Sequence, residues 1–119
     1  MRNHKSLKAF VMADFIAVEA YRITASFPKE EMYGLTSQIR RAAVSVPSNI
    51  VEGCARESQV EYKRFLEIAF GSLKELHYQI SLATRLGYIA ASNAEDFEVK
   101  LEESEKVLGA LVRSQRSAA

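Results

Sequence analysis

The chain reads as an all-α protein, an up-and-down antiparallel four-helix bundle formed as a single domain over residues 1–119. Three observations carry this reading. Apolar residues recur every three or four positions in four separate segments. Two prolines and five glycines are too few turn formers for a sandwich or barrel of many strands. Finally, 119 residues with 48% hydrophobic and 26% charged side chains suit one compact core and lie far from the balance of disordered chains.

The elements follow in order. A helix at about 7–26 is predicted from Phe10, Ala13, Ala17, Tyr21 and Thr24, which fall on one stripe and place Asp14 near its middle, where a carboxylate needs a basic partner or a subunit boundary. Phe27-Pro28 ends it, and Pro28 followed by Lys29-Glu30-Glu31 suits a single helical turn. The second helix, about 35–53, aligns Leu35, Ile39, Ala42, Val46, Ile50 and Gly53. Because this stripe stays in phase beyond Pro47, a kink in one helix is expected there.

Ser58 and Glu61 form a capping box that opens the third helix, about 59–86. Its seam is Leu66, Ala69, Leu73, Leu76, Ile80 and Ala83, with Gly87 as the C-terminal cap. Apolar residues on this helix spread over roughly 200° of its circumference, more than a surface helix needs, so it is expected to be central. A second capping box, Ser92 with Glu95, opens a fourth helix at about 93–112 with Phe97, Leu101, Ser104, Leu108 and Leu111 inward. A polar tail, Arg113 to Ala119, follows.

Sixteen basic and fifteen acidic residues give a net charge of +1, so bulk charge points to no nucleic-acid or membrane partner. Any such contact needs a local patch. Arg40 and Arg41 on the second helix, Arg56 in the following connection, and Lys63 and Arg64 opening the third are the candidates for phosphate-backbone contacts with RNA or DNA. The alternative is a solvated face with ion pairs to Glu52, Glu57, Glu61 and Glu67. Val44 and Val51, and Tyr78 and Leu82, stand as apolar pairs on otherwise polar faces and are candidates for a subunit interface.

Catalytic and metal motifs are lacking. His4 and His77 lie on different segments, and Cys54 has no second cysteine nearby. Zinc-protease, phosphate-loop and nucleophile-elbow patterns do not occur. No cofactor or metal is expected. An enzyme on this fold would need Arg41, Glu75 and His77 to converge. One cysteine, an N-terminus without a signal-type apolar run and no span of ~20 apolar residues predict the reducing cytoplasm and no membrane insertion.

The run from Phe27 to Gly53, with Tyr33-Gly34-Leu35, Gln38-Ile39-Arg40-Arg41-Ala42 and Val46-Pro47-Ser48-Asn49-Ile50 at its centre, resembles the four-helix-bundle family encoded in intervening sequences of bacterial 23S rRNA genes. The likeness continues through Arg56, Phe65-Leu66, Ile68-Ala69, Gly71 to Leu76 and Arg85 to Tyr88, covering about residues 7–112. That resemblance implies a cytosolic bundle assembled as a ring-like homopentamer, with no established enzymatic activity. It also implies a nucleic-acid role, since a related accessory protein of diversity-generating retroelements associates with nucleic acid and a reverse transcriptase. A module that binds another protein, without nucleic acid, is the alternative.

Overall fold

The computed structural model describes residues 2–117, with the side chains of residues 2–115. Four α-helices carry the fold: α1 Lys8–Thr24, α2 Leu35–Cys54, α3 Gln59–Arg85 and α4 Ala91–Ser117. Among the described residues about 83% are helical and no strand occurs. Short 3-10 turns at His4–Ser6 and Lys29–Glu31 precede α1 and α2. Each helix packs on its chain neighbours, and α4 closes the ring against α1, whereas the diagonal pair α1 and α3 do not touch. The α2–α3 seam is the most extensive and α1–α4 the least. Helix α3 packs on α2 and α4 but not on α1, so its expected central place is corrected to a corner of the ring; of its broad apolar arc Ile68, and Leu86 just past its end, are left exposed.

Local chemistry sets the ends. The hydroxyl of Ser58 accepts from the Glu61 amide at 3.0 Å, starting α3 as the capping pattern requires. At the other end Gly87 takes φ +83°, and the amides of Gly87 and Tyr88 donate to the carbonyls of Thr84 and Ala83. This paired closure needs a left-handed residue, which glycine supplies without a Cβ penalty. Helix α2 passes through Pro47 as one element; the proline lacks the amide that would have served the carbonyl of Ala43.

The Ser92–Glu95 capping box does not open α4. The helix starts at Ala91, with the Ala94 amide donating to the carbonyl of Ala90, so Ser92 already sits in the first turn. At its far end α4 continues to Ser117, taking in most of the expected polar tail; residues 118 and 119 lie outside the described residues.

The core is built from the predicted seams of α2, α3 and α4. Ile39, Val46, Ile50, Leu66, Leu73, Leu76, Ile80, Leu101 and Leu108 are fully buried. Helix α1 is rotated from expectation: its buried line is Ala9, Ala13, Ile16, Ala20 and Thr24, while Tyr21 is exposed and Phe10 only half-buried. Asp14 consequently faces solvent, not the core. Alanine gives a weak hydropathy signal, and α1 has apolar residues on its outer side too, so periodicity alone did not fix its phase.

Candidate functional sites

The five predicted cations do not form one patch. Arg40 and Arg56 are sixteen residues apart on and just beyond α2, about 24 Å at the helical rise. Arg40 is turned toward α1. Its Nε donates to Thr24 Oγ1 at 2.8 Å, and its guanidinium lies 4.5 Å from the Tyr21 ring centroid, so it covers the C-terminal end of α1, where a cation meets the negative end of the helix dipole. Arg41 is exposed beside it, and the two border an open groove of about 740 Å³ along α2 that also takes in Tyr21, Tyr33 and Val44.

The remaining cations gather at the opposite pole, where α2 turns into α3. Arg56 pairs with Glu52 at 3.7 Å, and its guanidinium lies 5.0 Å from the Phe65 ring; Arg64 pairs with Glu61 at 3.2 Å and lies 4.6 Å from the same ring. Hydrogen bonding to Arg64 holds the Glu61 carboxyl below its ordinary range, and Glu61 raises Arg64 in return. Arg2 joins this pole. It donates to the Arg56 carbonyl at 2.8 Å and to Gln59 at 3.1 Å, and stacks 4.0 Å from the Tyr62 ring centroid. Lys63 completes it, half-buried on the first turns of α3. The aromatic platform of Tyr62 and Phe65 was not singled out in the sequence; its signal is the aromatic pair three residues apart among arginines.

Arg41, Glu75 and His77 do not converge. Glu75 and Arg41 line a small cavity of about 140 Å³ between α2 and α3, whereas His77 turns to α4. There His77 Nδ1 is 2.7 Å from Glu105 Oε2, with Glu98 at 3.8 Å and Lys74 joining Glu105 at 3.6 Å. These are ties between helices. No group of three or more His, Cys, Asp or Glu side chains suited to a metal occurs among the described residues. Cys54 is buried, and desolvation raises its thiol above the ordinary range.

The candidate interface residues divide. Val44, Val51 and Tyr78 are exposed, Tyr78 by 60%, while Leu82 is half-buried and packs on the core. A longer apolar line, not expected from the sequence, runs along the outer side of α1: Val11, Phe15 and Val18 are 56%, 45% and 46% exposed. Their four- and three-residue spacing was visible but was assigned to no face. Among the described residues no helix is long and apolar enough to cross a membrane.

A four-helix bundle with ion pairs tying α3 to α4 is the class of protein these features define. Residues 5–110 match the family described as 23S rRNA-intervening sequence protein, and the chain belongs to that family. Its fold is similar to the crystal structure of a protein of unknown function from the S23 ribosomal protein family of Bacteroides thetaiotaomicron, with a TM-score of 0.78 at 22% identity, covering 87% of this chain and 97% of that one. Comparison with curated proteins gives no match.

Proposed function

We propose that this protein is a noncatalytic building block that acts as a cytoplasmic homo-oligomer, five subunits by resemblance to its family. The observation that supports this is the set of large apolar side chains left on three outer helix faces: Val11, Phe15 and Val18 on α1, Val44 and Val51 on α2, Ile68 and Tyr78 on α3. Single exposed apolar residues are ordinary, whereas a line on successive turns, as Val11, Phe15 and Val18 form on α1, is the mark of a surface that is covered in use. Sedimentation equilibrium at micromolar concentration tests it. The expected mass is a multiple of 13.3 kDa, and a 13.3 kDa species throughout would refute the assembly.

A second reading, contact with RNA or DNA through phosphates, is favoured by one observation: Arg2, Arg56, Lys63 and Arg64 share one pole. Repeating that pole in an oligomer multiplies weak contacts. Each phosphate neutralised adds a slope of roughly −0.9 to log K against log salt on duplex DNA. Titration of structured RNA and duplex DNA across ~50–200 mM salt is expected to show steep, sequence-tolerant weakening. Replacing Arg56 and Arg64 with glutamine flattens the slope, while Arg40→Gln does not. Absence of binding at low salt leaves these arginines as ion-pair partners and favours a protein partner instead.

A further inference from the structure

We infer that the corner where α2 turns into α3 is a binding site for an arginine side chain, filled by the chain's own Arg2 and open, once Arg2 leaves, to an arginine presented by a partner protein. The inference is independent of both readings above.

The bundle supplies the receptor and Arg2 comes from outside it. Arg2 belongs to no helix and precedes the His4–Ser6 turn, yet its guanidinium is held on three sides. Nη1 donates to the Arg56 carbonyl at 2.8 Å, Nη2 donates to Gln59 Oε1 at 3.1 Å, and the guanidinium carbon stands 4.0 Å from the Tyr62 ring centroid. This is the shortest cation–aromatic contact among the described residues. Each wall is fixed by the fold. The Arg56 carbonyl lies beyond the last turn of α2 and so is free to accept from a side chain. Gln59 Nε2 donates to Gln115 Oε1 of α4, which leaves Gln59 Oε1 turned to the guanidinium. Tyr62 is 4% exposed, and its ring lodges beside Gly53, where a Cβ would stand 3.5 Å from Tyr62 Cδ1.

Two oxygens for two different nitrogens, beside an aromatic face, select a guanidinium over an ammonium, because only the planar fork reaches both acceptors while lying on a ring. The surrounding charge permits it. Arg56 is paired with Glu52 and Arg64 with Glu61, and Glu57 borders an open hollow of about 580 Å³ beside Arg2, through which a side chain can enter from solvent. The segment that carries Arg2 is closed on itself, with Asn3 Oδ1 accepting from the Lys5 amide at 3.1 Å and Ser6 Oγ donating to the Asn3 carbonyl at 2.8 Å. It is a short arm laid on the corner, and its arginine is an autoinhibitory contact. Cys54 reports on the arm: the thiol is 1% exposed, and the charge of Arg2 reaches it.

Arg2→Ala in the full chain tests the site. The variant is expected to keep its helical circular dichroism, while iodoacetamide alkylates Cys54 about tenfold faster than in wild type, through the loss of two charge-assisted hydrogen bonds and a cation–aromatic contact. Nα-acetylarginine amide is then expected to slow this reaction toward the wild-type rate and to shift the Tyr62 ring protons in NMR spectra. Nα-acetyllysine amide is expected to do neither, and wild type, already filled, to respond to neither compound. An Arg2→Ala chain that alkylates at the wild-type rate and binds neither amide would overturn the inference. Equal effects of the two amides would overturn it as well, since they would mark a general response to cations. If Arg2→Ala loses its helical signal, Arg2→Lys takes its place: it keeps the charge without the fork and is expected to leave Cys54 equally open, whereas protection equal to wild type would show that charge alone is recognised and sink the guanidinium site. Wild-type protection is expected to be independent of protein concentration. Its loss on dilution would mean that a second copy supplies Arg2 and would overturn closure within the chain.

Discussion

The hydroxyl of Tyr88 donates to Glu31 Oε2 at 3.0 Å, while the other oxygen of the same carboxylate accepts from the Leu35 amide at 2.9 Å. Glu31 thus serves the otherwise unpaired start of α2 and anchors the chain just past the end of α3. One side chain in a three-residue turn clamps two connections at one pole of the bundle, and Tyr88 adds a tilted ring contact with Phe27 at 5.4 Å.

This clamp predicts an alkaline weakening. The bond to Glu31 raises the Tyr88 phenol above its ordinary range, and burial raises Tyr62 likewise. A phenol that is harder to ionise when folded adds stability that is complete below about pH 10 and is lost as pH rises through the folded value. Thermal melts between pH 8 and 11 are expected to fall more steeply for wild type than for Tyr88→Phe, which keeps the ring contact but has no proton to lose.

Gly53→Ala is expected to destabilise by about 1–3 kcal/mol, because its methyl group would stand 2.9 Å from Phe65 Cβ, where α2 meets α3. Urea unfolding followed by circular dichroism measures it, and an unchanged midpoint would mean that this seam is free to spread.

Ser104 is fully buried among apolar residues of α4, and its hydroxyl has no hydrogen-bond partner among the described residues. Ser104→Ala removes a desolvated polar group at little cost in volume and is expected to raise stability by up to about 1 kcal/mol. Leu73→Ala, on α3 in the same core, is expected to cost about 2–5 kcal/mol. The same urea assay ranks the two.

Cys54 is expected to resist alkylation at pH 8 in folded protein and to react at once in denaturant, since the buried thiol yields little thiolate. Modification at equal rates in both conditions would show that the end of α2 opens readily.

Much of the bundle was legible in the sequence because α2, α3 and α4 each separate an apolar stripe from a charged one, so that Ile39, Leu73 and Leu101 could be placed without knowing their partners. Gly87 could be read the same way, its demand being local. Helix α1 could not be phased, as Ala9 and Ala20 bury as deeply as Ile16 while Val11 and Val18 look more apolar and lie outside. The sites were less legible than the fold. Arg40 with Thr24, and His77 with Glu105, are joined across 16 and 28 residues by packing, and no spacing rule announces such pairs. The basic residues looked like one group along the chain, yet a helix of twenty residues sets Arg40 and Arg56 at opposite poles.

The unequal seams of the bundle have a dynamic consequence. With α2 and α3 sharing the broadest contact and α1 and α4 the narrowest, the molecule is a tight hairpin with two more loosely held helices. Amide hydrogens of α2 and α3 near Ile50 and Leu66 would then exchange with solvent only when the whole chain opens, while those of α1 and α4 exchange through smaller excursions in which a flanking helix lifts away and returns.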